Sequence, residues 1–265
     1  MSEAPRIARE IRRTVLEQSR RAGVGHIGSS LSVADLLASL YADVLRLPAP
    51  RDPDRDRFIL SKGHAALALY AVLRATGWLR SEQLETFCAD GTLLGVHPDH
   101  ALPGIDFSTG SLGQGLSFGA GAALAARLSG SGRRVFVLLS DAECNEGSVW
   151  EAAMFAAHHR LASLVALIDL NGQQAFGYTR DVLDLAPMAR RWEAFGWEAV
   201  EVDGHDTAAI SAAAGAPPGG APRVVIARTV FGKGVSFMEG KIPWHYLPLS
   251  EEDFRRAMAE IGEGG

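Results

Sequence analysis

The hydrophobic positions near the start of the chain recur at the spacing of an α-helix. Apolar side chains fall on one helical face across residues 7–16, and the glycines within residues 23–25 end the predicted helix. A second helix is predicted to begin at Ser32, which has the side chain of a typical N-cap, and to continue to Leu45. The first part of the chain is therefore predicted to be helical.

Later segments contain short, continuously apolar runs that alternate with helical patterns. The predicted strands cover residues 58–60, 135–139, 164–169, 199–202 and 224–228, and predicted helices cover residues 113–128, 148–159 and 207–214. Strands that are apolar on both faces predict a parallel sheet sandwiched by helices, which is an α/β fold. Ligands of such sheets bind beyond the carboxyl ends of the strands, so we expect the site in the loops after Leu139, Ile168 and Arg228.

The composition narrows the class of protein without selecting a ligand. The chain has 265 residues, of which 47% are hydrophobic, and we expect residues 1–265 to form a single domain. With 26 basic and 31 acidic side chains the net charge is -5, which argues against a surface for nucleic acid or anionic membrane. Two cysteines make no disulfide framework, and no segment reads as a signal peptide or membrane helix, so we expect a cytoplasmic protein.

Two polar segments follow neighbouring predicted strands. Asp141 follows the strand at 135–139, and Asn171 follows the strand at 164–169, about one βαβ unit further on. Their side-chain oxygens are predicted to emerge side by side, where a few oxygen ligands and a phosphate group would hold Mg²⁺. Taken alone, Asp141 fits the N-terminal acid of a helix equally well, and Asn171 followed by glycine fits an ordinary turn.

Several segments, in one order along the chain, resemble the signatures of the transketolase family, whose enzymes use thiamine diphosphate. They are Gly-Val-Gly-His-Ile-Gly at 23–28, Arg-Phe-Ile-Leu-Ser-Lys-Gly-His at 57–64, Gly-Val-His-Pro at 95–98, Ser-Thr-Gly-Ser-Leu-Gly-Gln-Gly at 108–115, Ser-Asp-Ala at 140–142 with Asn171, Phe-Gly-Lys-Gly-Val-Ser-Phe-Met-Glu at 231–239, and Trp-His at 244–245. The resemblance implies the N-terminal, diphosphate-binding domain of that family.

The resemblance also implies roles for particular residues. Mg²⁺ would be held by Asp141, Asn171 and the backbone carbonyl of Gln173. Thiamine diphosphate would contact His64, Gly110, Ser111, Leu112, Asp141, Ala142, Asn171 and His245. The catalytic positions would be His26, His64, His97, His245 and, at a subunit contact, Glu146. Imidazoles suit this work because each offers a donor and an acceptor near neutral pH.

A few positions depart from the family pattern. Ser140 and Ala142 stand where glycines usually flank the metal-binding aspartate, Ile27 stands where proline is common, and Tyr246 stands where glycine is common. These differences bear on the choice of substrate more than on cofactor binding. Outside the site we expect His100, His158, His159 and His205, and we expect Glu143 to be exposed to solvent.

The resemblance covers one domain of a larger enzyme. Transketolases continue into a pyrimidine-binding domain and a C-terminal domain, so this chain is expected to be the N-terminal subunit of a split transketolase. Its partner would be a separately encoded pyrimidine-binding subunit in an α2β2 assembly, which transfers a two-carbon ketol unit from a ketose or ketose phosphate to an aldehyde. The alternatives are a subunit of another thiamine diphosphate enzyme, of the 2-oxo-acid dehydrogenase type or of specialised metabolism, and a non-catalytic regulatory paralogue.

Overall fold

The computed structural model describes residues 2–263 and contains a five-stranded parallel sheet. The strands are β1 (Arg57–Leu60), β2 (Val135–Ser140), β3 (Leu164–Leu170), β4 (Gln173–Gln174), β5 (Gly177–Tyr178), β6 (Glu198–Asp203) and β7 (Arg223–Arg228). The large sheet has the order β1-β2-β3-β7-β6, and β4 and β5 form a separate antiparallel hairpin. The predicted α/β fold with a parallel sheet is therefore confirmed.

Helices cover both faces of this sheet. They are α1 (Ala4–Ala22), α2 (Ile27–Ser32), α3 (Ala34–Ser39), α4 (Ala66–Ala75), α5 (Ser81–Leu84), α6 (Gly115–Leu128), α7 (Gly147–His158), α8 (Thr179–Val182), α9 (Met188–Ala194), α10 (Thr207–Gly215) and α11 (Glu251–Glu263). Short 3₁₀ turns cover Gly63–Ala65, Ala142–Asn145 and Ile242–His245, and a π-helical turn covers Leu40–Val44. No helix within residues 2–263 is both long enough and apolar enough to cross a membrane.

The continuous apolar runs of the strands are explained by two cores, one on each side of the sheet. Phe136 and Leu138 of β2 face the core shared with α1, α3 and α4, whereas Val135 and Val137 face the core shared with α6 and α7. Because alternate side chains of a strand point to opposite faces, a strand buried on both faces must be apolar at nearly every position.

The N-terminal segment confirms one helix prediction and corrects the other. Helix α1 ends at a left-handed Gly23, as the sequence predicts. The helix predicted from Ser32 to Leu45 corresponds to α3 and the π-helical turn after it, but its N-cap is Val33, and Ser32 is the last residue of α2. The Ser32 hydroxyl donates a hydrogen bond to Asp169 at 2.7 Å instead of capping a helix. The side chain that the local sequence pattern predicts as a helix cap thus forms a tertiary hydrogen bond with Asp169 of β3 instead.

Candidate active site

The sheet edge where β2 and β3 end carries Asp141 and Asn171. The backbone N–H of Gly172 donates to Oδ2 of Asp141 at 2.8 Å, and the N–H of Gln173 donates to Oδ1 of Asn171 at 2.9 Å. Gly172 has a φ of 72°, so this turn requires the left-handed backbone that glycine adopts without strain. The structure therefore brings Asp141 and Asn171 together at one turn, as the strand pattern predicts.

The Asp141 carboxylate lies in an environment that disfavours its charge. The residue is 3% exposed, and burial, followed by the nearby Asp169 carboxylate, raises the pKa of Asp141 to about 7. Hydrogen bonds from the N–H groups of Gly172 and Ala142 act in the opposite direction. A bound cation would supply the positive charge that this carboxylate lacks and would keep it ionised.

The oxygen atoms at this edge fit a small, hard cation. The Asp141 carboxylate, the Asn171 amide oxygen and the Gln173 backbone carbonyl offer the oxygen ligands that Mg²⁺ prefers. Within residues 2–263, no group of three or more His, Cys, Asp and Glu side chains converges to form a metal site by itself. A cation here would therefore also need amide, carbonyl and phosphate oxygens, which is the usual way that Mg²⁺ is bound beside phosphate.

Three histidines from distant segments form a cluster. The ring centroids of His26 and His64 are 5.4 Å apart, those of His26 and His245 are 5.1 Å apart, and those of His64 and His245 are 5.5 Å apart. The backbone N–H of His26 donates to the His245 carbonyl at 3.2 Å. His26 has a φ of 61°, which is uncommon for a residue with a side chain and recurs at functional sites.

Burial keeps the clustered imidazoles neutral. It lowers the pKa of His26, lowers that of His64 well below the ordinary value, and lowers the pKa of His245 to about 4. The positive charge of Lys62 acts in the same direction at all three rings. Nδ1 of His26 and Nδ1 of His245 are buried without a hydrogen-bond partner in the described chain. The neutral rings of His26 and His245 thus each have one nitrogen that pairs with no group of the described chain.

The cluster and the sheet edge share one cavity of about 330 Å³. Most of the predicted site residues line it, namely His26, His64, His97, Gly110, Leu112, Ala142, Glu146, Asn171, Gln173 and His245. The other two predicted residues do not line it. Ser111 is exposed in the loop before α6, and Asp141 lines an adjacent cavity of about 210 Å³. The Ala142 N–H, which the resemblance assigns to the diphosphate, donates to Oδ1 of Asp141 at 2.9 Å.

A buried ion pair beneath this cavity is absent from the sequence-based predictions. Asp169 is 0% exposed, and Lys62, at 1% exposure, donates to its Oδ2 at 2.5 Å. Ser32, Asn171 and Thr229 also donate to this carboxylate. The signal in the sequence is a charged residue inside an otherwise apolar strand, because a buried charge needs a partner.

Glu143 is buried, so the prediction that it is exposed is wrong. Its Oε1 accepts hydrogen bonds from the Ser61 hydroxyl at 2.5 Å and from the Gly113 N–H at 2.8 Å, and its Oε2 accepts one from the Ser140 N–H at 3.2 Å. Burial raises the pKa of this carboxyl. Glu143 therefore joins the end of β2 to the two loops that carry His64 and Gly110, and local sequence gives no sign of these distant donors.

Those two loops approach each other so closely that only glycine fits between them. A Cβ atom on Gly63 would lie 2.9 Å from the Gly110 nitrogen, and a Cβ on Gly110 would lie 3.1 Å from the His97 ring. The segment that contains His97 is fixed in turn by the Tyr70 hydroxyl, which donates to the His97 carbonyl at 3.0 Å. Close backbone contact thus sets the positions of His64 and His97.

The remaining histidines lie outside the cavity, as predicted. His100 is exposed, and His158 and His159 lie at the C-terminal end of α7. His205 has a structural environment: its Nδ1 is 2.7 Å from the Asp35 carboxylate, and its Nε2 accepts from the Val230 N–H at 2.9 Å. These contacts connect α3 to the segment after β7.

Curated relatives match nearly the whole chain. It is 41% identical to the 6-deoxy-6-sulfo-D-fructose transketolase subunit SqwG of Clostridium sp. (strain MSTE9), over 97% of this chain and 96% of that protein. It is 39% identical to an apulose-4-phosphate transketolase subunit of Phocaeicola vulgatus, over 95% of this chain and 91% of that protein.

A structural comparison and a family model agree with these sequence similarities. The transketolase of Leishmania mexicana superposes with a TM-score of 0.90 at 30% identity, covering 99% of this chain and 42% of that chain. This chain therefore spans less than half the length of the solved transketolase. The family model described as "Transketolase, thiamine diphosphate binding domain" matches residues 4–264. The chain thus belongs to the transketolase family and corresponds to its thiamine diphosphate binding domain.

Proposed function

We propose that this chain is the Mg²⁺ and thiamine diphosphate binding subunit of a two-component, cytoplasmic transketolase. The complex transfers a two-carbon ketol unit from a ketose donor to an aldehyde acceptor, and a separate pyrimidine-binding subunit completes it as an α2β2 assembly. The observation that carries the proposal is the cluster of His26, His64 and His245, whose cavity also contains the sheet edge at Asn171.

The charge of the cavity supports a second subunit. Lys62 is the only lysine or arginine among the described residues that line the cavity, and it already donates to Asp169. An anionic group on a sugar would therefore find no uncommitted cation in this part of the chain. We infer that the partner subunit supplies that cation. The two relatives described above are themselves named as subunits.

The proposed chemistry divides between the cofactor and this chain. When bound, thiamine diphosphate supplies the nucleophilic carbon that carries the two-carbon unit. Asp141, Asn171 and the Gln173 carbonyl would hold Mg²⁺ and thereby the diphosphate. The neutral imidazoles of His26 and His245 can each accept a proton from a sugar hydroxyl or return one to a developing alkoxide.

The names of the relatives indicate the class of donor. One is named for a sulfonated sugar and the other for a sugar phosphate. We propose a sugar derivative with an anionic terminus as the donor here as well. The partner subunit would hold the anionic end of that donor, because the described residues that line this cavity offer no uncommitted cation.

Cofactor binding tests the metal and diphosphate assignments. Calorimetric titration of the reconstituted complex with thiamine diphosphate in Mg²⁺ should give binding for the wild type and none for Asp141→Ala or Asn171→Ala. Asp181→Ala is the matched control, because Asp181 lies on α8 with a side chain that is 64% exposed. Near-normal, Mg²⁺-dependent affinity in the first two variants would refute the assignment.

Turnover tests the need for a partner. The purified chain alone should show no ketol transfer, and activity should appear when it is combined with a pyrimidine-binding subunit encoded by a neighbouring open reading frame. Ketol transfer by the isolated chain would refute the two-component proposal. Full cofactor binding with no transfer by the complex would instead favour a non-catalytic paralogue.

A further inference from the structure

The β4–β5 hairpin is held against the segment that carries His245. Gln173 pairs with Tyr178 in the hairpin, and the Tyr178 hydroxyl donates to the Gly240 carbonyl at 3.4 Å. At the hairpin tip, the Tyr246 hydroxyl donates to the carbonyl of Ala175. Two tyrosine hydroxyls therefore connect the hairpin to residues 240–246.

The backbone of Tyr246 is itself fixed close to the histidine cluster. Its N–H donates to the Pro243 carbonyl at 3.0 Å, and a Cβ atom on Gly25 would lie 2.4 Å from the Tyr246 carbonyl oxygen. Its ring centroid is 5.1 Å from that of His245. The side chain is 54% exposed, so burial does not account for a tyrosine at this position. The hydrogen bond from its hydroxyl to the Ala175 carbonyl instead gives the side chain a structural role, because it connects Tyr246 to the hairpin.

Two side-chain amides of the hairpin, which both belong to residues that line the cavity, contain a buried atom without a hydrogen-bond partner. Oε1 of Gln173 and Nε2 of Gln174 are buried and have no hydrogen-bond partner in the described chain, and both residues line the cavity. Gln173 is only 6% exposed. Buried polar atoms are nearly always paired in native proteins, so these two atoms indicate a ligand that pairs with them.

The chemistry of that ligand follows from the two atoms. Gln173 offers an acceptor and Gln174 offers a donor, and a hydroxyl group can pair with either. Both amides are uncharged, which suits a polyhydroxylated carbon chain better than a phosphate or sulfonate. His26 and His245, whose Nδ1 atoms also lack partners in the described chain, line the same cavity.

We propose that the hairpin of residues 173–178 recognises the hydroxyl-bearing chain of the donor through the side chains of Gln173 and Gln174. Tyr246 is a positioning residue that sets the distance between this hairpin and the histidines. The inference rests on the proposed function, because ketol transfer supplies a polyhydroxylated donor. It adds a role for side chains that differs from the role proposed for the Gln173 backbone carbonyl.

Donor discrimination by the reconstituted complex tests this proposal. One donor is hydroxypyruvate, which delivers a two-carbon unit and has no sugar chain. The other is the ketose that the wild type turns over with the highest kcat/KM among fructose 6-phosphate, xylulose 5-phosphate, sedoheptulose 7-phosphate and 6-deoxy-6-sulfofructose. Gln174→Met and Tyr246→Phe should each lower kcat/KM about tenfold for the ketose and less than twofold for hydroxypyruvate, with unchanged affinity for thiamine diphosphate.

A matched control distinguishes loss of the hydrogen bond between Tyr246 and Ala175 from a general effect of removing a tyrosine hydroxyl. Tyr41→Phe removes a hydroxyl from a core residue that packs on Phe58 and does not line the cavity, and it should leave the donor ratio unchanged. In the free chain, chymotrypsin should cleave after Phe176, which is 87% exposed, several-fold faster in Tyr246→Phe than in the wild type or Tyr41→Phe.

The outcomes distinguish this inference from the proposed function. An equal loss for both donors, or weaker cofactor binding, would place the hairpin amides at the cofactor and overturn the inference. An unchanged donor ratio in Gln174→Met would overturn it as well, and unchanged cleavage in Tyr246→Phe would remove the positioning role. If the wild type turned over no donor, including hydroxypyruvate, the proposed function would fail and this inference would fail with it.

Discussion

Replacing Lys62 with Met should destabilise the protein more than replacing any charged residue that is exposed on its surface. The variant keeps most of the side-chain length and leaves the fully buried Asp169 carboxylate without its cation. Three neutral donors remain on that carboxylate, from Ser32, Asn171 and Thr229. Removing one partner of a buried ion pair lowers the free energy of unfolding by about 3–5 kcal/mol. We expect a loss of about 3 kcal/mol here, because the remaining donors still stabilise the carboxylate.

The assay is urea unfolding followed by far-ultraviolet circular dichroism. A loss of about 3 kcal/mol, with a slope of roughly 1–3 kcal/mol/M, lowers the unfolding midpoint by about 1–3 M. Lys233→Met is the matched control, because Lys233 lies 3.8 Å from Glu239 and both side chains are more than a third exposed. That variant should change the free energy of unfolding by less than about 1 kcal/mol.

A double variant tests whether the cost arises from the unpaired charge. Adding Asp169→Asn to Lys62→Met removes the orphaned carboxylate, and it should recover a large part of the lost free energy of unfolding. If Lys62→Met lost less than about 1 kcal/mol, or if the two substitutions were simply additive, the assignment of this pair as a coupled buried ion pair would be wrong.

Further substitutions test other contacts of the site. Glu143→Ala should lower the free energy of unfolding by about 2–4 kcal/mol, because three donors lose a buried acceptor; urea titration checks this, and a loss below about 1 kcal/mol would contradict it. Gly63→Ala should lower the free energy of unfolding by about 1–3 kcal/mol and weaken cofactor binding, because its Cβ would lie 2.9 Å from the Gly110 nitrogen. Gly121→Ala is the control and should cause no loss of stability, because a Cβ there meets nothing within 4 Å. Burial lowers the pKa of His245 to about 4 from an ordinary value of 6.5, so the unfolded state takes up this proton first as the pH falls. The stability that neutral His245 confers is therefore complete above pH 6.5 and is lost towards pH 4, and the wild type should lose stability relative to His245→Asn over that interval. A stability difference between the two proteins that stays constant from pH 7 to pH 4.5 in urea titrations would refute this.

Much of the fold follows from the sequence because its causes are local. Four strands of the large sheet contain an apolar run, whereas the edge strand β6 mixes acidic and apolar residues. The order of strands and helices permits few arrangements other than a covered parallel sheet. The hairpin formed by β4 and β5 does not follow from the sequence pattern, because its strands have only two residues each and no apolar alternation. The tethers from Tyr178 and Tyr246 that hold it join residues 62 and 71 positions apart.

The candidate site divides in the same way. The polar residues after β2 and β3, and the histidines within glycine-rich turns, can be identified from sequence since their types and places along the chain are unusual. The burial of Glu143 and the pairing of Lys62 with Asp169 cannot, because each depends on a partner from a distant segment. Burial is a property of the assembled chain, and it also decides the protonation of the site by lowering the pKa of His245.

The sequence by itself determined the class of fold, the edge of the sheet that carries the candidate site, and the chemical types gathered there. Only the tertiary structure decided which of those groups meet, at what distance, and in which charge state. The physical reason is that backbone pattern and hydrophobic alternation act over a few residues, whereas desolvation and hydrogen bonding in the site act between segments that folding alone brings together.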